Sequence, residues 1–133
     1  MNQRLRLKVV TPTRVVVDAE ADEVWLPGSL GVLGILPGHA PLLALLRIGE
    51  LEYFVGAREF FLSIQWGFVE VLDDEVRVLA EVAALPSEID IQAAREAKRA
   101  AEEALRTAVG AEFERQRAAL KAAITDINVA SHR

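Results

Sequence analysis

The first 86 residues contain short apolar runs that either alternate with polar residues or stop at glycine, proline or aspartate. Residues 4–9 alternate charged and apolar side chains strictly, which predicts a strand with one solvated and one buried face. Further strands are predicted over residues 14–17, 23–26, 50–55, 59–64, 68–72 and 76–80. The turns 56–58 and 73–75 predict two hairpins. This pattern is typical of an antiparallel sandwich or a flattened barrel.

One segment is apolar without being regular. Residues 33–43, LGILPGHAPLL, carry two glycines and two prolines, which disfavour a helix or a central strand. We therefore predict a loop over residues 28–41. It displays Leu30, Val32, Leu33, Ile35 and Leu36, some of which must close the end of the sandwich. Leu30 and Val32 flank Gly31 and are the candidates for an exposed docking tip.

The pattern changes near Pro86, after which Ala, Glu, Arg and Lys dominate and no proline recurs. Residues 87–90, Ser-Glu-Ile-Asp, predict a helix start in which the Ser87 hydroxyl accepts a hydrogen bond from a free backbone amide. The helix is predicted to reach about Val109, with Gly110 as a left-handed stop and a second helix over 111–130. So short a break predicts an antiparallel hairpin. We expect two domains, residues 1–86 and 87–133.

The predicted seam between the two helices is rich in alanine. Its members are Ile91, Ala94, Ala97, Ala101, Leu105 and Ala108 on the first helix, and Phe113, Leu120, Ala123, Ile124 and Ile127 on the second. Alanine allows close approach but buries little area, so each contact stabilises the pair weakly. The sequence therefore predicts a hairpin that can open or extend without melting.

Charge and composition exclude several function classes. The chain has 133 residues, 52% of them hydrophobic, a formal net charge of −5 and no cysteine. The net negative charge argues against nucleic-acid binding, and the missing thiols exclude disulfides and cysteine chemistry. No apolar run resembles a signal peptide or a membrane span. We expect a soluble, cytosolic protein that docks on a membrane-bound partner.

The search for catalytic chemistry finds no matched set of groups. His39 lies in the apolar loop without a neighbouring acid, which favours a structural role as a hydrogen-bond partner of the loop backbone. His132 lies in the tail and is expected to be frayed. Residues 73–75, Asp-Asp-Glu, favour a hairpin turn over a metal site, and Gly28, Gly31 and Gly34 do not have phosphate-loop spacing. A coupling or binding protein is favoured. A stand-alone ligand-binding sandwich with a helical lid, and an enzyme, are the alternatives.

Four segments resemble a known family. They are 33–43 with Gly28 and Ser29 before it; Leu-Lys-Val-Val-Thr-Pro at 7–12; Gly-Phe-Val-Glu-Val at 67–71; and Ile89-Asp90 followed by 96–103. Together, and in their order along the chain, they resemble the epsilon subunit of bacterial F-type ATP synthases over essentially the whole chain.

The resemblance implies a sandwich of about ten strands followed by a two-helix domain in a non-catalytic rotor subunit. The sandwich would bind the gamma subunit and the polar loops of the c-ring through Ser29, Leu30, Gly31, Val32 and His39. The hairpin would fold on the sandwich, or extend towards the alpha and beta subunits and inhibit ATP hydrolysis. Contacts to beta would come from Arg95, Lys98, Arg99, Arg115, Arg117 and Lys121. From charge alone, these six residues form an ordinary solvated face. The chain would lie peripherally on the cytoplasmic face of the bacterial plasma membrane and would not form a homo-oligomer.

Four positions depart from the family pattern. Leu30 and Val32 stand where many relatives carry acidic residues, so the c-ring contact is predicted to be more apolar. In the Ile/Leu-Asp-x-x-Arg-Ala motif with which some relatives bind ATP, Ile89, Asp90 and Ala94 match, but Ala93 replaces the arginine. Without that guanidinium, we expect no tight regulatory ATP binding and no other cofactor. Trp66 stands where relatives usually have glycine.

Overall fold

The computed structural model describes residues 3–133. The strands are β1 Leu5–Val10, β2 Val15–Ala21, β3 Glu23–Gly28, β4 Gly31–Ile35, β5 Leu42–Leu46, β6 Gly49–Val55, β7 Arg58–Leu72 and β8 Glu75–Ala84. A short 3₁₀ turn, Pro86–Glu88, leads to helices α1 Ile91–Leu105 and α2 Gly110–Ala130. The predicted class, a β-sandwich followed by a helical hairpin, is confirmed.

The sheet differs from the prediction in number and direction of strands. It has eight strands rather than about ten, in the order β2-β1-β8-β7-β5-β3-β4, and β6 closes the fold by pairing with β3 and β7. All pairs are antiparallel except β1–β8, in which Leu7 lies opposite Val76 in parallel. The sheet is therefore mixed. The hairpins at residues 56–58 and 73–75 are present as predicted, and Asp73 and Asp74 have φ of 48° and 61°, as a tight hairpin turn requires.

The core lies between the two layers of this folded sheet. Alternate residues of β1 and β8, such as Leu5, Leu7 and Val78, are fully buried, and they meet Leu51 and Leu62 from β6 and β7. The charged residues that alternate with them in β1 face solvent. This alternation is the reason why β1 could be predicted from its pattern.

The predicted loop over residues 28–41 is partly wrong. Its first part forms β4, which pairs antiparallel with β3 from Val24–Ile35 to Gly28–Gly31. Glycine at positions 31 and 34 does not break the strand, because β4 is an edge strand and Gly34 makes room for the ring of Trp25, which lies 2.6 Å from a Cβ built there. Ile35 is buried as the expected plug, whereas Leu36 is half exposed.

The helix boundaries also shift. Asp90, not Ser87, caps α1, because its carboxylate accepts hydrogen bonds from the amides of Gln92 and Ala93, each at 3.1 Å. Helix α1 ends at Leu105, four residues before the predicted end at Val109. Gly110 has a left-handed φ of 58° but begins α2 instead of ending α1.

The seam prediction holds in part. Ala94, Ala101 and Ala123 are buried between the helices. Ala97 faces solvent, and Phe113 and Ile124 are 38% and 39% exposed. These three residues were predicted to lie in the seam and are exposed to solvent instead. Helix α2 also contacts β6 and β7, while α1 packs mainly on α2. Neither helix within residues 3–133 has the length and apolarity needed to cross a bilayer.

Candidate functional site

The predicted docking tip is the turn between β3 and β4. Leu30 is fully exposed and Val32 is 74% exposed. Gly31 has φ of 137°, a conformation that side-chain-bearing residues rarely adopt, so glycine is required between the two apolar residues. Two neighbouring aliphatic side chains exposed to water at a turn are typical of a contact surface.

His39 lies away from this tip. Its amide donates to the carbonyl of Leu36 at 3.1 Å and its ring Nδ1 lies 2.6 Å from the carbonyl oxygen of Ala40. The preceding Gly38 amide donates to Asp74 at the β7–β8 turn, which is at the far end of β5 from Gly28. The five-residue strand β5 spans about 17 Å, so His39 and Leu30 mark opposite ends of the sandwich.

An apolar row crosses four strands next to the tip. Leu45 of β5 pairs with Phe68 of β7, Phe68 pairs with Leu79 of β8, and Leu79 pairs with Val10 of β1. Leu45 is 66% exposed, and Phe68 and Leu79 are 39% and 45% exposed. Four neighbouring strands place this row over about 14 Å. We call Leu45, Phe68, Leu79 and Val10 the apolar row.

The apolar row has a charged border. In the adjacent register, Leu43 pairs with Glu70, Glu70 with Arg77, and Arg77 with Lys8. A shallow groove of about 370 Å³ runs beside Phe68 and Leu79. A desolvated centre with a polar rim is the usual composition of a protein–protein interface.

The sequence reading missed the apolar row. The available signal was β5, Leu-Leu-Ala-Leu-Leu, in which both faces are apolar. Continuous hydrophobicity in a strand indicates that both faces are covered in the functional state. The glycine and proline residues before β5 predicted a loop, and no strand was predicted over residues 42–46.

Trp66 lies at a corner of the sheet. Before it, β7 buries Leu62 and Ile64 in the core, and after it β7 buries Val69 and Val71. Trp66 and Gly67 have φ of 52° and 147° at the point where β7 passes from pairing with β6 to pairing with β5. A Cβ on Gly67 would lie 1.9 Å from the carbonyl oxygen of Leu79, so glycine is required there.

The Trp66 side chain lines a cleft of about 570 Å³ between the sandwich and α2. Arg47 and Ile48 line the sandwich side, and Arg117 and Lys121 are among the residues of the α2 side. The corner explains the backbone at Trp66, and nothing in the structure explains why its side chain is tryptophan.

The last turns of α2 hold the hairpin to the sandwich. Val129 and Ala130 are buried against Phe61. Ser63, which is 1% exposed, donates to the carboxylate of Asp126 at 2.5 Å. The expectation of a frayed His132 is wrong, because its ring stacks on Phe61 with 3.6 Å between the ring centres. We call these contacts, including the His132–Phe61 stack, the hairpin anchor.

The linker between sandwich and hairpin has its own contacts. Arg14 pairs with Glu88 at 2.7 Å, and Glu88 also accepts the amide of Leu85. Both bonds stabilise the charged carboxylate, and they lower the pKa of Glu88 below its usual value, the Arg14 hydrogen bond most. Arg133 donates to the carbonyls of Pro86 and Ile89. These polar contacts fix where the hairpin leaves the sandwich.

The six predicted basic contacts lie on the hairpin as expected from its pattern. Arg95, Arg99, Arg115, Arg117 and Lys121 are exposed and Lys98 is half-buried. Three of them pair with acids one turn earlier: Arg99 with Glu96, Arg115 with Glu112, and Arg117 with Glu114. Such exposed pairs contribute little to stability and exchange readily for another acidic partner.

The residues of the ATP motif, Ile89, Asp90 and Ala94, line one groove at the start of α1. Ile89 and Ala94 are buried, and the Asp90 carboxylate is engaged as the α1 cap. The groove beside them, about 460 Å³, is lined by alanines and by three carboxylates, Glu88, Asp90 and Asp126, with no Lys or Arg among its lining residues. A phosphate group binds best to positive charge or free amides, and neighbouring carboxylates disfavour it.

The chain is similar to a known protein family and to individual bacterial proteins. The sequence profile of the family described as "ATP synthase, Delta/Epsilon chain, beta-sandwich domain" matches residues 4–86. The chain is 44% identical over 132 residues to ATP synthase epsilon chain 2 of Syntrophotalea carbinolica, which covers 98% of this chain and 96% of the relative. It is 51% identical over 111 residues to the ATP synthase epsilon chain of Solibacter usitatus, covering 83% of each.

Solved structures show the same fold. A chain in the cryo-EM structure of the Euglena gracilis mitochondrial ATP synthase, OSCP/F1/c-ring in rotational state 1, superposes with a TM-score of 0.82 at 21% identity, covering 97% of this chain and 82% of that one. A chain of the Tetrahymena thermophila mitochondrial ATP synthase central stalk and c-ring superposes with a TM-score of 0.58 at 14% identity.

Proposed function

This chain belongs to the delta/epsilon family of ATP synthase subunits, as its residues 33–43 and 67–71 predicted, and we propose that it couples the c-ring to the gamma subunit in the central stalk. It is a non-catalytic subunit of the rotary complex, with a role in ATP synthesis and ion transport that belongs to the complex as a whole. The alternatives of an enzyme and a stand-alone ligand-binding sandwich are set aside.

The apolar row carries the proposal for coupling. Residues 1–86 form the docking domain, and Leu45, Phe68 and Leu79 bind the gamma subunit. Leu30 and Val32 contact the loops of the c-ring at the same end of the sandwich, where the Ser29 amide bonds to the carbonyl of Leu45. One rigid β module that touches both partners transmits torque without relying on the hairpin.

Reconstitution tests this role. Membrane vesicles stripped of this subunit are expected to lose proton-driven ATP synthesis, and added wild-type chain is expected to restore it. ATP synthesis that is unaffected by removal of the chain would contradict the coupling role. This test also addresses the proposed location, the cytoplasmic face of the bacterial plasma membrane, because only vesicles that expose this face should respond.

We propose further that residues 87–133 are a regulatory domain with two positions. In the folded position, the hairpin anchor and the linker contacts hold it against the sandwich. The rest of the hairpin adds mainly alanine contacts, so the two helices can leave without unfolding. In the extended position, the six basic residues would pair with acidic groups of the beta subunit and inhibit ATP hydrolysis.

Loosening the hairpin anchor is expected to shift this equilibrium. Ser63→Ala removes the donor and leaves the Asp126 carboxylate without its partner, which should raise the open population about tenfold. Spin labels on Ala57→Cys and Thr107→Cys, in a chain without native cysteine, report the distance between sandwich and hairpin end.

A matched control variant distinguishes the loss of the Ser63–Asp126 hydrogen bond from the general effect of replacing a serine. Ser131→Ala removes a hydroxyl whose hydrogen bond, among residues 3–133, goes to the carbonyl of Asn128 at the end of α2, at 2.6 Å. We expect unchanged distances for this variant. Equal distance distributions for Ser63→Ala and wild type would show that Ser63–Asp126 does not hold the hairpin.

Tight ATP binding is not expected, because Ala93 replaces the arginine of the motif and three carboxylates line the nearby groove. Titration calorimetry on the isolated chain should give millimolar affinity or none. Ala93→Arg should strengthen binding by about tenfold, since it adds a charged phosphate partner. Micromolar affinity of the wild-type chain would refute this expectation.

A further inference from the structure

We propose that Arg47 is the positioning residue of the docking tip: its guanidinium holds the β3–β4 turn so that Leu30 and Val32 are presented at a fixed place. This inference rests on the proposed contact between the tip and the c-ring. It concerns a residue that the sequence pattern did not single out, since Arg47 stands alone between the apolar strand β5 and Ile48.

The geometry is a fork over two consecutive carbonyls. Arg47 Nε donates to the carbonyl oxygen of Gly28 at 2.9 Å, and Nη2 donates to that of Ser29 at 2.6 Å. The backbone adds two more bonds between the same segments, from the Arg47 amide to Pro27 and from the Ser29 amide to Leu45, both 2.9 Å. Four hydrogen bonds therefore join the turn to the end of β5.

The turn closes the β3–β4 hairpin, which is paired up to Gly28 opposite Gly31, and its further attachment to β5 is narrow. Strands β3 and β5 are paired at a single position, Gly28 opposite Leu46. Leu30, at the turn, is fully exposed, so packing does not hold its side chain in place. Gly31 in its left-handed conformation adds backbone freedom. Of the four hydrogen bonds that fix the turn against the end of β5, two come from the Arg47 side chain.

The chemistry suits arginine specifically. Its planar fork presents parallel N–H groups to two acceptors, and bonds from a charged donor are stronger than neutral ones. Among the salt bridges formed by residues 3–133, none involves Arg47, so its charge is directed to the two carbonyls. Lysine would supply a single point donor, and an uncharged residue would supply no comparable bond.

The first test measures the turn itself. In Arg47→Ala, amide hydrogen exchange at Ser29 is expected to accelerate at least about tenfold, while the β1–β2 amides keep their rates. Arg47→Gln is examined in parallel, because it keeps part of the stem and guards against a loss of fold in the alanine variant. Arg58→Ala, an exposed arginine over Phe60 at the β6–β7 turn, is the charge-matched control.

The second test measures function with a double-mutant cycle. Binding of the full chain to a detergent-solubilised gamma–c-ring complex is measured for Arg47→Ala, Leu30→Ser and the combination. Each single change should weaken binding about tenfold, and the combination should be little weaker than either, because a misplaced tip has no contact left to lose. A purely structural arginine would give additive effects.

The outcomes separate the two levels of inference. If the wild-type chain fails to bind the gamma–c-ring complex, the proposed function and the role of Arg47 fall together. If wild type binds but Arg47→Ala binds equally well, keeps slow exchange at Ser29, or adds fully to Leu30→Ser, the role of Arg47 alone is overturned. Partial retention of binding by Arg47→Lys would support the fork geometry, and full retention would contradict it.

Discussion

A chain that ends after Glu88 is expected to raise ATP hydrolysis by the assembled complex at least about fivefold, the lower end of usual coupling between sites. The cut keeps the whole sheet and the Arg14–Glu88 pair, and it removes both helices with the six basic residues proposed to meet the beta subunit. Because the core cluster lies within the β-sandwich, the shortened chain should still fold and dock on gamma.

Point variants test the same effect without removing the hairpin. Replacing Arg115, Arg117 and Lys121 with alanine should reproduce part of the activation. Each side chain is exposed, and the pairs of Arg115 with Glu112 and Arg117 with Glu114 exchange readily for another acidic partner. Arg106→Ala is the control, because Arg106 is also exposed and pairs one turn back with Glu103 but lies outside the proposed contact set. Unchanged hydrolysis by the complex that carries the shortened chain would remove the inhibitory role.

The second large effect is expected at the centre of the apolar row. Phe68→Glu should weaken binding to gamma by at least about a hundredfold, because it places an unpaired carboxylate where the interface is proposed to exclude water. Phe68 lies between Leu45 and Leu79 in register, so a charge at this point disturbs the whole row. The side chain faces outwards, and the fold should tolerate the change.

A second apolar-to-acid substitution controls for general effects of charge. Val109→Glu alters a residue that is 80% exposed between the two helices, outside the apolar row. Its affinity for gamma should equal that of wild type. Equal binding by Phe68→Glu and wild type, measured by biolayer interferometry with both variants folded, would move the gamma contact to another surface.

The sequence predicted those elements that local chemistry determines. Strand β1 follows from strict alternation, and the turn at Asp73–Asp74 follows from residues that tolerate left-handed backbone. Helix α2 follows from its composition, which is rich in Ala, Glu, Arg and Lys. Each of these signals lies within a few residues, so no knowledge of distant partners was needed.

The rest depends on contacts between residues far apart in sequence. The parallel pairing of β1 with β8 joins positions about 70 residues apart, and no local pattern encodes its direction. The apolar row appears only when β5, β7, β8 and β1 are placed side by side. Asp126 and Ser63 are ordinary polar residues in the sequence, and they become an anchor because the hairpin folds back on β7. The hydrogen bonds from Arg47 to the β3–β4 turn could not be predicted either, because they form only when the end of β5 lies beside that turn.

The most direct test of the docking role mixes the purified chain with a purified gamma subunit and measures the mass of the product by size-exclusion chromatography with light scattering. We predict a stable one-to-one complex that survives dilution and that the chain ending after Glu88 forms equally well. A chain that elutes alone with gamma in excess would contradict the proposal that this sandwich is the coupling module of a rotary stalk.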